Sequence, residues 1–454
     1  MTPARATVTK AAAAAVAAAV ALLSSSLAAP VASAVPAPTP AVNAYYSPKA
    51  EAPQSRSGAA FRKFLSTERT EFDLQSYPFF GSLVDTRGRT STFSLMMQQT
   101  NDVDVLGLQL SYAVEGVMVN RGSGFTLGGV AGLPDLTLPL TLTAVPWSIR
   151  AQSFTIGQKP QFVDARVVSG RIGEKGAVYE LTARVAARKV GSSASKTLQI
   201  YVRAKDTLGM AQWGYGPSGF FPQWIYPKQR KAIEGRYRGD VGAYLAGTRD
   251  PMSGQGDYYY SSPLLRVQEW SMHENGRRVS HGRGGTLWLD NVEQSFDAAA
   301  EKVVKNGVTW TEFSTQLPSL NSALKIGWVK QKSVGTLRYA MLASGSNTKA
   351  RNGNLRPSKW ATQSISIRPV RSARWTSPAT GLTYYTKYRV VLRPSGNAQR
   401  HSARLTMTAV FDAQEVAFKG GRAVYEGLYK VTGTLDGRRI RGQAWGEVQP
   451  AGSL

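Results

Sequence analysis

The chain has no cysteine and only three histidines in 454 residues. Without thiols there is no thiolate nucleophile, no cysteine-ligated metal and no disulfide, so any folded core must hold by packing alone. His273, His281 and His401 do not form an HxH or HExxH pair, which argues against the common zinc-hydrolase arrangements and reads them as surface residues. No G-x-S-x-G elbow is present; Gly216-Pro217-Ser218-Gly219 lacks its spacing. Glycine clusters fall at hairpins and not between a strand and a helix, so there is no phosphate-binding loop. Acids are scarce: 29 Asp and Glu stand against 55 Lys and Arg, a formal charge of +26. Yet no block of five or more basic residues occurs, which excludes an obvious basic arm.

Long apolar runs are also missing, except near the start. Arg5 and Lys10 precede an uncharged Ala-rich run from Ala11 to Leu27, and Ala32-Ser33-Ala34 offers small residues for cleavage. This predicts a signal peptide over residues 1–34 of the general secretory type, too short and Ala-rich for a permanent span. No Arg-Arg pair precedes it, and no cysteine could carry a lipid anchor. Residues 35–60 are rich in Pro, Ala and Ser and predict a disordered linker. The implied location is secreted, periplasmic or at the cell envelope. There a basic protein meets anionic envelope polymers or lipid headgroups, and nucleic acid is not an expected partner.

What the chain does have, past Phe61, is period-two alternation. Leu106, Leu108, Leu110, Tyr112 and Val114 share one face; so do Tyr179, Leu181, Ala183 and Val185. Leu198, Ile200 and Val202, then Tyr388, Val390 and Leu392, then Leu405, Met407, Ala409 and Phe411 repeat the pattern. Such runs are half-buried antiparallel strands. Asn275-Gly276, Asn352-Gly353 and Asp436-Gly437 predict two-residue hairpin turns. Helical signal is sparse; Asp297 to Gly307 carries an N-cap and an Asn-Gly exit and predicts one short helix. The aromatic cluster Trp213, Tyr215, Phe220, Phe221, Trp224 and Tyr226 has no clean period and reads as a loop, either lidding a barrel mouth or plugging its end. Many short strands with few helices predict an all-β sandwich or barrel.

A faint repeat points to duplication. NGRRVSHGRGGTLWLDNVE at 275–293 parallels DGRRIRGQAWGEV at 436–448. Each has a hairpin turn, a basic pair, a Gly and a strand with a Trp and an acid: Trp288 with Asp290, Trp445 with Glu447. Each follows a Tyr-led strand, containing Tyr258-Tyr259-Tyr260 or Tyr425. Two copies are compatible with two similar barrels.

The same segments resemble the AttH/CrtC-like proteins. GDYYYSSPLLRV (256–267), GTLWLDNVEQSF (285–296), VTWTEFSTQL (308–317), RWTSPATGLTYYTKYRV (374–390), AVFDAQEV (409–416) and VYEGLYKVTGTLDGRRIRGQAWGEV (424–448) occur in family order. The resemblance covers 256–448 well, and 61–255 only in strand-rich character and around Trp147. It implies two tandem lipocalin-like antiparallel β-barrels, an N-terminal one at 61–296 and a C-terminal one at 297–454. It also implies relatives among secreted hydrolase-like proteins and carotenoid 1,2-hydratases, which add water to an isoprenoid C=C bond without a cofactor. That chemistry needs a carboxylic acid with a raised pKa and an apolar, aromatic pocket for a carbocation.

At the positions that matter the chain departs from the family. Family members often show Asp-His-Glu-Trp where Asp290-Asn291-Val292-Glu293 stand here, and Trp-Asp-Trp-Phe where Trp310-Thr311-Glu312-Phe313 stand. Asp290, Trp310 and Phe313 are kept. Glu312 shifts the carboxyl by one residue, which in a strand sends it to the opposite face. The candidate acids are therefore Asp290 and Glu312, each also explicable as a turn cap or a solvated strand residue. Candidate pocket residues are Tyr259, Trp288, Asn291, Glu293, Trp310, Phe313, Gln414, Tyr425 and Glu426; for Gln414 a structural hydrogen bond at a strand end is the favoured alternative. Metal and cofactor are not expected. Two readings follow. The first is a binding protein for an apolar isoprenoid or other lipid, its catalytic positions degenerate. The second is a cofactor-independent hydratase or hydrolase-like enzyme.

Overall fold

The structure, a computed structural model, describes residues 74–453 except 104–108, 123, 130–140, 145–146, 154–159, 191, 215–219, 223–226, 239–243, 245–255, 295–307, 332–334 and 418–422. The leader, the linker and the helix expected at 297–307 lie outside the described residues, as does most of the aromatic cluster after Trp213.

The fold is all-β, with two large antiparallel sheets in tandem. The first runs from Leu74–Ser76 to Thr286–Gln294 and closes on itself. Strand Val178–Lys189 pairs with both Phe125–Gly129 and Ser195–Asp206, and the latter pairs with Gly256–Glu274, which returns through Thr286–Gln294 to the start. Closure leaves no free edge around that ring, which removes the usual risk of edge-to-edge association. The second sheet runs from Val308–Leu317 to Arg438–Val448 and curls around its own core as a half-barrel.

The alternation read in the sequence becomes burial. Tyr179, Leu181 and Val185 point into the first core, and Tyr388, Val390 and Leu392 into the second. Each fully buried side chain of this size contributes roughly 1.5–3 kcal/mol. Asn275-Gly276 and Asp436-Gly437 form their hairpin turns with positive φ at both residues. Asn352-Gly353 does not: only Gly353 has positive φ, and Asn352 Oδ1 accepts from the Asn354 amide inside a loop closed by the Lys349–Leu355 bridge. A helix not expected from the sequence occupies Pro227–Glu234.

The two sheets are packed together. The outer face of the second supplies Ala323, Val329, Met341, Val424 and Trp445 to the first core cluster. Polar clamps fix the contact: Gln316 Nε2 donates to the carbonyls of Leu287 and Pro263 at 2.7 and 2.9 Å, and Gln443 Nε2 to that of Thr286 at 3.0 Å. Phe80 lies against both Trp288 and Trp445, so the two Trp residues of the repeat meet at this interface.

Candidate functional site

Pairing register places the candidate residues. In the second sheet, Glu312 stands directly opposite Glu447, and Glu447 directly opposite Glu426. Gly327 and Tyr339 continue the same line on the other side. Directly paired residues project to the same face, so three carboxyls form a row across three adjacent strands. That face is the one covered by the first sheet. Thr311 and Phe313, one residue either side of Glu312, are fully buried on the opposite side, Phe313 against Tyr388 and Tyr429. The one-residue shift from Thr311 to Glu312 thus carries the carboxyl out of the barrel and into the gap between the sheets.

Asp290 meets the row from the first sheet. It is 5% exposed, and its carboxylate accepts hydrogen bonds from the Tyr259 hydroxyl, the Ser261 hydroxyl and the Trp288 indole N–H. Register explains two of these: Ser261 pairs with Asp290, and Tyr259 lies two residues further along the same face. Lys325, 1% exposed, joins the two sheets. Its Nζ donates to Glu312 Oε1 at 2.6 Å, Ser314 Oγ at 2.9 Å and Tyr259 Oη at 2.6 Å. The Tyr339 hydroxyl donates to Glu312 Oε2 at 2.8 Å. It reaches across because position 327 is glycine; a Cβ there would overlap the Tyr339 hydroxyl. At the next place in the row, the Trp310 indole donates to Glu447 Oε2 at 3.1 Å.

Electrostatics divides the cluster into two ends. At the Lys325 end the charges are paired. Burial works against the ammonium, but Glu312, Asp290 and Glu447 outweigh it and hold its pKa above normal. Burial also pushes the Asp290 carboxyl up, opposed by Lys325 and by its three donors. The Glu447–Glu426 end has no cation of its own among the described residues. Burial, then repulsion from Glu312, raises Glu447 to about 7, against the pull of Lys325 and the Trp310 bond. Burial raises Glu426 well above the carboxylate range, with Glu447 and Glu312 adding to it. The two facing carboxyls titrate as a pair and hold a proton near neutral pH. A carboxylic acid beside the Trp310 indole, with hydrogen-bonded polar groups fixed around it, can donate a proton and take it back.

Not every predicted residue belongs to this cluster. Phe313 and Tyr425 are packed in the second core. Gln414 clamps the strand at Gly427: its Oε1 accepts from the Leu428 amide at 2.8 Å and its Nε2 donates to the Leu428 carbonyl at 3.2 Å. Its neighbour Glu415 accepts from Ser377, Thr380 and Tyr384 and ties down the hairpin Arg374–Tyr385. Asn291 is 2% exposed on the face opposite Asp290, beside Tyr260, and neither amide atom has a hydrogen-bond partner among the described residues. Glu293 pairs in register with Tyr258 and Gln75; its side chain lies outside the described residues. His401 Nδ1 lies 2.8 Å from Asp436 Oδ2 at the second hairpin turn, remote in sequence and sheet position from the cluster. Lys325, Ser261, Tyr339 and Glu447 were not among the predicted site residues. For Glu447 the repeat was the available signal, since it set Glu447 as the counterpart of Asp290. Lys325 carries only a weak one, a lysine on the small-residue face of Ser322–Gln331.

No family profile matches the chain, and no curated protein matches it. Solved structures do. A protein provisionally named AttH from Nitrosomonas europaea aligns with a TM-score of 0.53 at 19% identity, covering 86% of this chain and 95% of its own. Kievitone hydratase from Nectria haematococca aligns with a TM-score of 0.49 at 12% identity, covering 85% of this chain and 91% of its own. The resemblance to AttH/CrtC-like proteins read in the sequence therefore holds at the level of the fold: this chain has the tandem-barrel architecture of an AttH-type protein.

Proposed function

We propose that the chain is a cofactor-independent acid–base enzyme of the hydratase type, adding water across a C=C bond of an apolar, isoprenoid-like substrate. The observation that carries this is the Glu312–Glu447–Glu426 row beside Asp290 and Lys325, with Glu426 buried, Glu312 and Glu447 half-buried, and Glu447 raised to about 7. A general acid works best when its pKa lies near the operating pH. In the proposed step the Glu447 proton goes to one alkene carbon and the C=C electron pair forms the new C–H bond. The cation left on the other carbon is met by the Trp310 ring and captured by water. The proton that water then loses returns to the Glu447 carboxylate. Asp290 and Glu312 orient and balance charge, since both oxygens of each accept hydrogen bonds. The family resemblance in the sequence supports the same chemistry.

A second reading, an apolar-ligand carrier, is favoured by one observation: Asp290 and Lys325 are so fully engaged that they also serve as a latch between the sheets. One assay separates the two. The full chain is incubated with acyclic carotenoid or shorter isoprenoid alkenes in ¹⁸O-labelled water, and products are read by mass. The enzyme reading expects alcohol carrying the label, reduced at least about a hundredfold in E447Q. Lipid retained unchanged supports the carrier. Labelled product that survives both E447Q and E426Q removes the acid assignment.

A further inference from the structure

The same outer face of the second sheet continues beyond the part covered by the first sheet, and there it is entirely different. Register aligns Arg368, Arg389, Thr406, Thr432 and Arg441 in one row across five adjacent strands. A second row, two residues along, holds Ser366, Val391, Arg404, Thr434 and Arg439. All five arginines of the two rows are exposed, and Arg393 extends the face past the end of its strand. None of these arginines has an ion-pair partner among the described residues. Arg368 and Arg389 stand directly opposite each other, an arrangement that costs stability through like-charge repulsion. Together with Arg371 and Arg393 they rim a shallow depression of about 460 Å³. The rows contain no acid.

We propose that this face docks an extended phosphodiester polyanion of the cell envelope. Three features select that occupant. First, the charge is complementary and ordered: strands lie about 4.8 Å apart and alternate residues about 7 Å apart, so the arginines form a grid on the scale of successive phosphates in an extended chain. Guanidinium groups bind phosphate through two parallel N–H bonds, and the intervening threonine hydroxyls add donors. Second, the rows carry no aromatic residue on which a base could stack, because Tyr388 and Tyr429 point into the core. The leader read in the sequence also argues for an envelope polymer over a nucleic acid. Third, the only apolar side chain in the rows is the half-buried Val391, too little to enter a bilayer; the exposed large hydrophobics among the described residues, Val168 and Val190, lie on a first-sheet strand and in the turn after another.

The test measures binding of the full chain to fluorescent poly(glycerol phosphate) over a salt series. The arms are wild type, R389Q/R404Q/R441Q and a control with equal charge loss on the first sheet, R121Q/R188Q/K189Q. The proposal expects the face variant to bind between tenfold and about a hundredfold more weakly near 0.1 M salt, with a log–log salt slope shallower by about 2. The control should stay within about twofold of wild type, and both variants should keep the wild-type melting temperature. Equal losses in the two variants would show a diffuse charge effect and overturn the proposal. So would absence of polymer binding, tighter binding to oligo-dT of equal charge, or binding to phosphatidylglycerol vesicles without binding to the polymer.

Discussion

The outer face of the second sheet has two halves, which share strands Ala423–Leu435 and Arg438–Val448 and the same alternation, and they treat charge in opposite ways. On Arg438–Val448, Arg439 and Arg441 lie in water, while Glu447, on the same face, lies beneath the first sheet. The wet half gathers like charges without ion-pair partners among the described residues and tolerates them, because water and salt screen exposed cations. The dry half gathers like charges around one lysine and must pair, hydrogen-bond or protonate each of them. On this face, carboxyls with raised proton affinity therefore arise where the first sheet covers the second.

The dry half should respond most strongly to loss of its cation. Lys325→Met leaves Glu312 and Asp290 without their shared cation and should lower unfolding stability by about 3–5 kcal/mol in a denaturant titration. A loss below about 1 kcal/mol would mean that the gap is wet. Tyr259→Phe removes a donor to Asp290 and an acceptor from Lys325 and should cost roughly 1–3 kcal/mol by the same titration. Glu447→Gln should behave otherwise. Its folded pKa lies above its unfolded value, so the folded state binds the extra proton between about 4.5 and 7. The wild-type contribution is then fully present at low pH and lost as pH rises through about 7. E447Q should match wild type near pH 5 and exceed it by about 1–3 kcal/mol at pH 8, read as the difference between two stability–pH curves. In the wet half, Arg389→Ala should move the melting midpoint little, within about 0.5 kcal/mol and toward stabilisation, because it relieves Arg368. A loss there of the size expected for Lys325 would erase the distinction.

Much of this arrangement is legible in the sequence, and the remainder is not for a physical reason. Alternation at Tyr179–Val185 or Tyr388–Leu392 reports which side chains share a face, and burial follows it. It also reports that Glu312 and Thr311 diverge. It does not say which face is the useful one, because the second sheet buries part of both: one on its own core, the other on its neighbour. Nor does it report register. Glu312 and Glu447 are far apart in the chain and meet because their strands pair at that offset. The repeat came nearer, setting Trp288 and Asp290 beside Trp445 and Glu447, and the structure brings both Trp residues to Phe80 and both acids to one cluster. Phe313, Tyr425 and Gln414 sit in well-matched motifs because they pack or clamp a strand. A preserved motif alone does not separate that role from contact with a ligand.

The account stands on a carboxylic acid that persists between the sheets at neutral pH. Its most direct test is a titration of ¹³C-labelled glutamate carboxyls by NMR, with the Glu447 signal assigned by comparison with E447Q. The account predicts a Glu447 midpoint near 7, with Glu426 titrating well above the ordinary carboxylate range. Both carboxyls fully ionised at pH 6 would contradict it.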